Sequence, residues 1–339
     1  TIEYLKEHGR KPKHSFSSDA DAKFAKVYDI NLDEIEPIVA KPHFVDSVVP
    51  AKECLGTHID EAFLGSCNKD DIDTKRSIFD PTEVYEPNEF DKWLLDNYVY
   101  TYNIQVKYRL DDNETDVEYH LVPAKYDNAI TLAKIVKFVW MEAYDEIWGI
   151  DMTRTYVPKL LQFIGNVAYT ESGMILGQAE GGMKVTLFRV NEIDKNNLSV
   201  AQLNEYYFKT MHHEFTHILN QKKAYDTSYD RISESDYVGS SWYRVSESVA
   251  LQKGFISPYA MDRATEDFAE MVAIYVTNDA STWEDMLASA GTTGRPIIEK
   301  KFEIVFDYML NSWGLDLDKL REIVLRRQSE ITELDLSTL

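Results

Sequence analysis

Cysteine is almost missing from this chain of 339 residues: it has two, Cys54 and Cys67, and none follows. That rules out a disulfide-stapled scaffold and any cysteine-rich metal centre beyond residue 67. No apolar run approaches the roughly eighteen residues needed to span a bilayer, so the reading is of a soluble body without a transmembrane segment. Positive charge is also short, with 36 Lys and Arg against 58 Asp and Glu. Residues 1–67 hold 8 basic and 12 acidic side chains against 28 and 46 in the rest, so most of the net charge of −22 lies beyond residue 67. Nucleic acid, a polyanion, is therefore excluded as an expected partner. The acidity speaks for solubility and says nothing about specificity. Histidine is scarce as well: after residue 67 only His120, His212, His213 and His217 remain.

What is present is concentrated. Three of those four histidines fall together, and residues 213–217 read His213-Glu214-Phe215-Thr216-His217. Ser199 to Gln221 contains neither proline nor glycine, and Leu203, Tyr207, Met211, Phe215, Ile218 and Leu219 recur at three- and four-residue steps, which predicts a helix. On a helix, imidazoles four residues apart share a face and can grip one Zn²⁺, and the glutamate between them can deprotonate a water that the zinc polarises. The bland alternative is a helix with two ordinary histidines and a solvated glutamate. The clustering of the chain's few histidines argues against it.

Zinc needs a third protein ligand. In a metzincin it is a histidine six residues after the second one, with a glycine between, but those positions hold Lys223 and Asn220. With no cysteine left and only His120 remaining, a carboxylate is expected. The best source is the helical stretch Asp262 to Val276, apolar almost all round after Phe268, in which Glu266 and Glu270 share one face. Carboxylates buried in so apolar a helix need a metal or hydrogen-bond partners. The expected arrangement puts Glu266 on zinc and Glu270, one turn on, against the free ring N–H of His213. The alternative leaves both carboxylates solvated, and Asp226, Asp230 and Glu247 stand as weaker candidates for the third ligand.

The HExxH helix, followed by Ser257-Pro258-Tyr259-Ala260 and then Glu266-Asp267-Phe268-Ala269-Glu270, resembles the zinc-binding metallopeptidase lipoproteins of Gram-negative bacteria, gluzincin-like proteins of outer-membrane nutrient-import systems. The resemblance runs from about Asn68 to the C-terminus. It implies that His213, His217 and Glu266 ligate zinc, that Glu214 is the general base, that Glu270 supports the ligands, and that Tyr259 stabilises an oxyanion. It implies a peptide or peptide-like substrate, an import complex as partner, and the cell surface or periplasm as location. In gluzincins an extended peptide lies on an edge strand, and Gly181 to Val190 is the segment expected to serve, with an interior strand as the equal alternative. A zinc-retaining binding component with little turnover is the second function carried; Glu214 favours catalysis, because a structural zinc site needs no base.

The first 67 residues differ. Thr1 to Leu5, Val27 to Leu32, Glu36 to His43 and Ile59 to Asn68 together resemble the aconitase and isopropylmalate dehydratase large-subunit family. That resemblance implies an iron–sulphur cluster held partly by a Gly-Ser-Cys-Thr-Asn motif. Here Lys69 follows Cys67-Asn68, the threonine is missing and the later cysteines do not exist. One thiolate cannot hold such a cluster, so an iron–sulphur hydro-lyase is the weakest function considered. The segment reads as a truncated α/β hydro-lyase piece without its chemistry, joined by a fusion or an assembly error, its cysteines reduced thiols. Leu64-Gly65-Ser66-Cys67 also fits a lipoprotein box, and Asn68-Lys69-Asp70-Asp71 an acidic export tag. Lys52, Glu53, His58, Asp60 and Glu61 break any apolar signal core, so no secretion signal is expected.

The expected organisation is an aconitase-like fragment over 1–67, a linker over 68–89 and a zinc metallopeptidase domain over 90–339. Within the last, helices are predicted at Phe90–Asn97, Asn128–Trp148, Thr282–Ala290, Pro296–Leu310 and Leu317–Arg327. Strands are predicted at Tyr100–Arg109, Leu160–Tyr169, Gly173–Gln178 and Lys184–Val190. The fold class is α+β, zincin-like, with a small twisted sheet first and helices after. Trp140, Trp148, Trp242, Trp283 and Trp313 read as core residues in preference to sugar platforms.

Overall fold

A computed structural model describes residues 86–110, 121–170, 173–175, 177–180 and 184–339, together with 38–40, 48–50 and Lys52. His120, Cys54, Cys67, the lipoprotein box, residues 68–85 of the expected linker and Gly181 to Met183 lie outside the described residues. The chain divides into two compact units, Thr1–Glu83 and Val84–Leu339. In the first, β1 (Ile38–Ala40) pairs antiparallel with β2 (Val48–Pro50).

The second unit is α+β. Its main sheet has the order β3 (Gln105–Lys107), β4 (Leu160–Phe163), β8 (Lys184–Leu187), β7 (Gly177–Glu180), with β5 (Ala168–Thr170) and β6 (Gly173–Ile175) forming a separate hairpin. The first three strands run parallel and β7 runs antiparallel to β8. Leu161, Phe163, Val185 and Leu187 are buried, so the paired central strands β4 and β8 carry the apolar run that parallel strands require. This placement decides between the edge and interior expectations for that stretch in favour of the interior: Lys184–Leu187 is an interior strand, and the terminal strands of this sheet among the described residues are β3 and β7.

Helix α1 (Glu89–Leu94) starts at a reciprocal cap, in which Asn88 accepts from the Asp91 N–H and Asp91 accepts from the Asn88 N–H, each at 2.8 Å. It continues through a wider turn at Leu95–Val99 to Tyr102, where Asn103 takes left-handed φ 57 and stops it. The strand expected from Tyr100 is therefore confined to Gln105–Lys107. Tyr102 falls in the expected strand but is a helix residue, its hydroxyl bonded to the Asp145 carboxylate; one turn earlier the Tyr98 hydroxyl donates to the Ala133 carbonyl.

The long helix expected to reach Trp148 is present as α2 (Tyr126–Val136), a π turn and α3 (Glu142–Trp148), and Gly149 at φ 83 closes it. The zinc-motif helix starts at Val200, where Ser199 caps the Gln202 N–H, and passes through another π turn into α4 (Lys209–Lys222). Helix α5 (Ala264–Thr277) is buried at every position from Asp267 to Thr277 and packs along α4. A helix this apolar all round has to lie inside the molecule.

Helix α6 (Ala280–Trp313) kinks at Gly291, whose φ of 68 and ψ of −166 no helix interior accepts. Pro296 follows five residues after this kink, in the second half of the helix. Helix α7 (Leu317–Ser329) packs on α5 and on α3. Trp140, Trp283 and Trp313 are buried and Trp148 packs against the same core. Trp242 differs and belongs with the site.

Candidate metal centre

Two buried helices aim their polar side chains at one point. The three-turn face of α4 carries His213 and His217, and the first turn of α5 carries Glu266. His213 Nε2 lies 3.0 Å from Glu266 Oε2, His217 Nε2 lies 3.1 Å from the same oxygen, and the two Nε2 atoms are 3.1 Å apart. These three residues are the group among the described residues whose donor atoms converge as a metal site requires. Asp226 and Glu247 are exposed and Asp230 accepts from the Tyr225 hydroxyl at 3.0 Å, so the weaker candidates do not join.

The donor chemistry fits a cation. His213 Nδ1 is 3.0 Å from Glu270 Oε1, so an imidazole that gives its Nδ1 N–H to Glu270 would offer the Nε2 lone pair to an ion once the Nε2 proton is displaced. Burial lowers the pKa of His213, but hydrogen bonds to Glu266 and Glu270 and their charges outweigh burial and push it up to about 9. Burial likewise opposes ionisation of Glu266, and the hydrogen bonds from His213 and His217 override it, holding that carboxyl well below the usual range. The cluster thus calls for positive charge where the three atoms meet. A borderline-soft divalent ion with a preference for two imidazoles and a carboxylate satisfies that demand, and this donor set is that of a catalytic zinc site.

Glu270, expected either as a solvated residue or as a ligand support, is 1% exposed. Its Oε2 takes the Ser257 hydroxyl at 2.6 Å and lies 3.4 Å from Lys209 Nζ. Those two partners were missed from sequence. Lys209 was detectable, because it lies one turn before His213 on the same helix face; Ser257 is brought in by a turn and carries no periodic signal.

Glu214, between the two histidines in sequence, is partly buried. Burial raises its pKa, and the charges of His213 and His217 pull it back. Tyr259 stands in a short turn, Tyr259–Met261, with its ring 5.7 Å from that of His213. Burial and the charge of Glu266 push its phenol far above the ordinary value, so it stays protonated. Trp242, expected in the core, sits edge-on to Tyr259 at 5.0 Å, on the exposed loop Gly239–Arg244. His212 faces away from the cluster: it is fully buried, bonded through Nδ1 to the Tyr144 hydroxyl at 2.9 Å, and burial lowers its pKa to about 3.

Comparison with known proteins covers both units. Over 67 residues the chain is 43% identical to the 3-isopropylmalate dehydratase large subunit of Lachnoclostridium phytofermentans, which is 20% of this chain and 16% of that protein. The large subunit from Aquifex aeolicus is 40% identical over 76 residues, 22% of this chain and 18% of that protein. The chain therefore spans about a sixth of the length of these curated relatives. A solved structure described as a putative zinc-binding metallo-peptidase from Bacteroides caccae is 42% identical, with a TM-score of 0.64, and the match covers 75% of this chain and 99% of that one. The family model described as "Putative zinc-binding metallo-peptidase" matches residues 83–318, a span that holds the whole His213, His217 and Glu266 cluster, and the chain belongs to that family.

Proposed function

We propose that the second unit is a zinc-dependent peptidase that cleaves amide bonds, with His213, His217 and Glu266 as the ligands of the ion. The observation that carries this reading is the triangle of two imidazole nitrogens and one carboxylate oxygen, 3.0 to 3.1 Å on each side. When bound there, Zn²⁺ supplies Lewis acidity, polarising water and the amide carbonyl. Glu214 takes the proton of the attacking water and returns it to the leaving amine; its raised pKa suits it to hold that proton between the two steps. Tyr259, kept protonated, donates a hydrogen bond to the oxygen on which negative charge develops. An extended peptide is accommodated by pairing with β7, one of the two terminal strands of the sheet among the described residues and one that approaches α4.

The experiment has two arms. Metal analysis of the intact chain should return one zinc, and a substoichiometric value would overturn the reading. Glu214→Gln should keep the zinc and lose cleavage of a mixed peptide library that the wild type cuts and a chelator silences. Equal cleavage by variant and wild type would remove Glu214 from the mechanism. We carry over from the family resemblance a location at the cell surface or in the periplasm beside an outer-membrane import system; fractionation of expressing cells tests it.

A further inference from the structure

We propose that Ser257 is a positioning residue whose single hydroxyl ties the Tyr259 turn to the Glu270–His213 pair. The proposal rests on the zinc reading above and not on peptide cleavage. Ser257 Oγ donates to Glu270 Oε2 at 2.6 Å and accepts from the Ala260 N–H at 3.1 Å. One atom thus joins two pieces of chain that have no covalent reason to keep register.

The turn side is rigid. Pro258 sits at φ −58, its carbonyl takes the Met261 N–H at 3.0 Å, and the Tyr259 carbonyl takes the Asp262 N–H at 3.0 Å. The phenol ring of Tyr259 therefore has its backbone fixed two residues from the Ser257 anchor. On the other side, Glu270 is buried and divides its oxygens, Oε1 to His213 and Oε2 to Ser257 and Lys209. A carboxylate held by one oxygen can swing about its terminal bond, whereas one held by both keeps its plane. The Ser257 bond is short and charge-assisted, and the Lys209 contact at 3.4 Å is long and about a third exposed, so the serine sets the plane. That plane orients the His213 ring, and hence the direction of its Nε2.

Removing the hydroxyl leaves a buried carboxylate short of a donor and frees the Ala260 N–H. The test uses the full chain as wild type, Ser257→Ala and Ser257→Thr, with Ser289→Ala as control; Ser289 bonds only the Asp285 carbonyl on an exposed helix face. Zinc affinity is read by competition with a chromophoric chelator, and ligand geometry by the visible spectrum of the Co²⁺-substituted chain. Ser257→Ala should weaken zinc binding on the order of 10-fold or more and shift the cobalt bands. On a peptide that the wild type cleaves it should lower kcat while KM holds. Ser257→Thr, which keeps the hydroxyl, should restore all of these, and the control should change none. A folded Ser257→Ala with wild-type zinc affinity and cobalt spectrum overturns the proposal. Should that variant not fold, Ser257→Cys, a weaker donor of similar shape, must show the same losses in milder form, and wild-type affinity in it overturns the proposal equally. A wild-type chain that holds no zinc would sink the hydrolase reading and this one together. Zinc-loaded wild type that cleaves nothing would remove only the peptidase reading.

Discussion

Glu270 shows what an apolar helix demands of a charge it buries. Its helix is closed to water from Asp267 onward, and the carboxylate persists there because His213, Ser257 and Lys209 meet it. Glu270→Gln keeps the volume and removes the charge, so zinc affinity should fall about 10- to 100-fold while the fold survives, measured by chelator competition. Glu266→Gln, at the donor position itself, should lose more; equal effects at the two sites would mean their roles are wrongly divided. Lys301 poses a different problem. It is fully buried, 2.6 Å from the equally buried Asp267, and also donates to the Gly254 carbonyl at 2.9 Å. Lys301→Met strands Asp267 without a counter-charge and should cost about 3–5 kcal/mol in denaturant unfolding. Adding Asp267→Asn should recover much of that loss. Of these partners only His213 was named from the sequence: the acidic residues of α5 could be placed on faces, but Lys301, Ser257 and Lys209 come from other elements, and of the three only Lys209 carried a signal, one turn before His213.

Elements meet at two places that test how the helices are held. Glu146 on α3 receives Arg326 at 2.6 Å and Arg327 at 3.0 Å from α7. Burial works against its ionisation, and the hydrogen bonds and charges of the two arginines outweigh it, so its folded pKa lies below the ordinary 4.5. Its contribution is therefore complete above 4.5 and lost as pH falls through the depressed folded value. Glu146→Gln should lower stability at pH 7 and converge with wild type in acid; a gap that stays constant from pH 7 to pH 3 would refute the assignment. Between α6 and the short helix Glu247–Gln252, Gly294 permits an approach in which an added Cβ would lie 1.9 Å from the Leu251 carbonyl oxygen. That oxygen is backbone and cannot give way cheaply, so Gly294→Ala should destabilise by about 1–3 kcal/mol, read as a lowered Tm. Sequence periodicity located most of the long helices to within a few residues, including two separate stretches where α6 kinks at Gly291, but ended the first helix at Asn97 and placed none at Ile150–Tyr156. It failed at the start of Tyr100 to Arg109, because Tyr102, read as a strand former, is fixed at a helix end by its partner at Asp145.

At the scale of the whole molecule, metal binding and folding should be linked, because the ligands come from two helices packed side by side inside the core. Free zinc at a hundred times its Kd adds about 2.7 kcal/mol, so a chelator should lower Tm by on the order of 5–10 °C. An unchanged Tm in a chain shown to have held zinc would mean that the ion contributes nothing to the pairing of α4 and α5. The sequence by itself determined that α4 is a helix with two imidazoles on one face, that a metzincin ligand is missing, and that a carboxylate in an apolar helix needs company. Those conclusions follow from periodicity, from local chemistry and from scarcity, which act along the chain. Tertiary structure alone decided which carboxylate joins the imidazoles. It also decided that Lys184–Leu187 is an interior strand with β7 at an edge, that Trp242 stands beside Tyr259 in place of the core, and that Ser257 reaches Glu270. Each of these depends on contacts between residues distant in sequence, and no helical or strand period along a single segment encodes which partner will arrive from another.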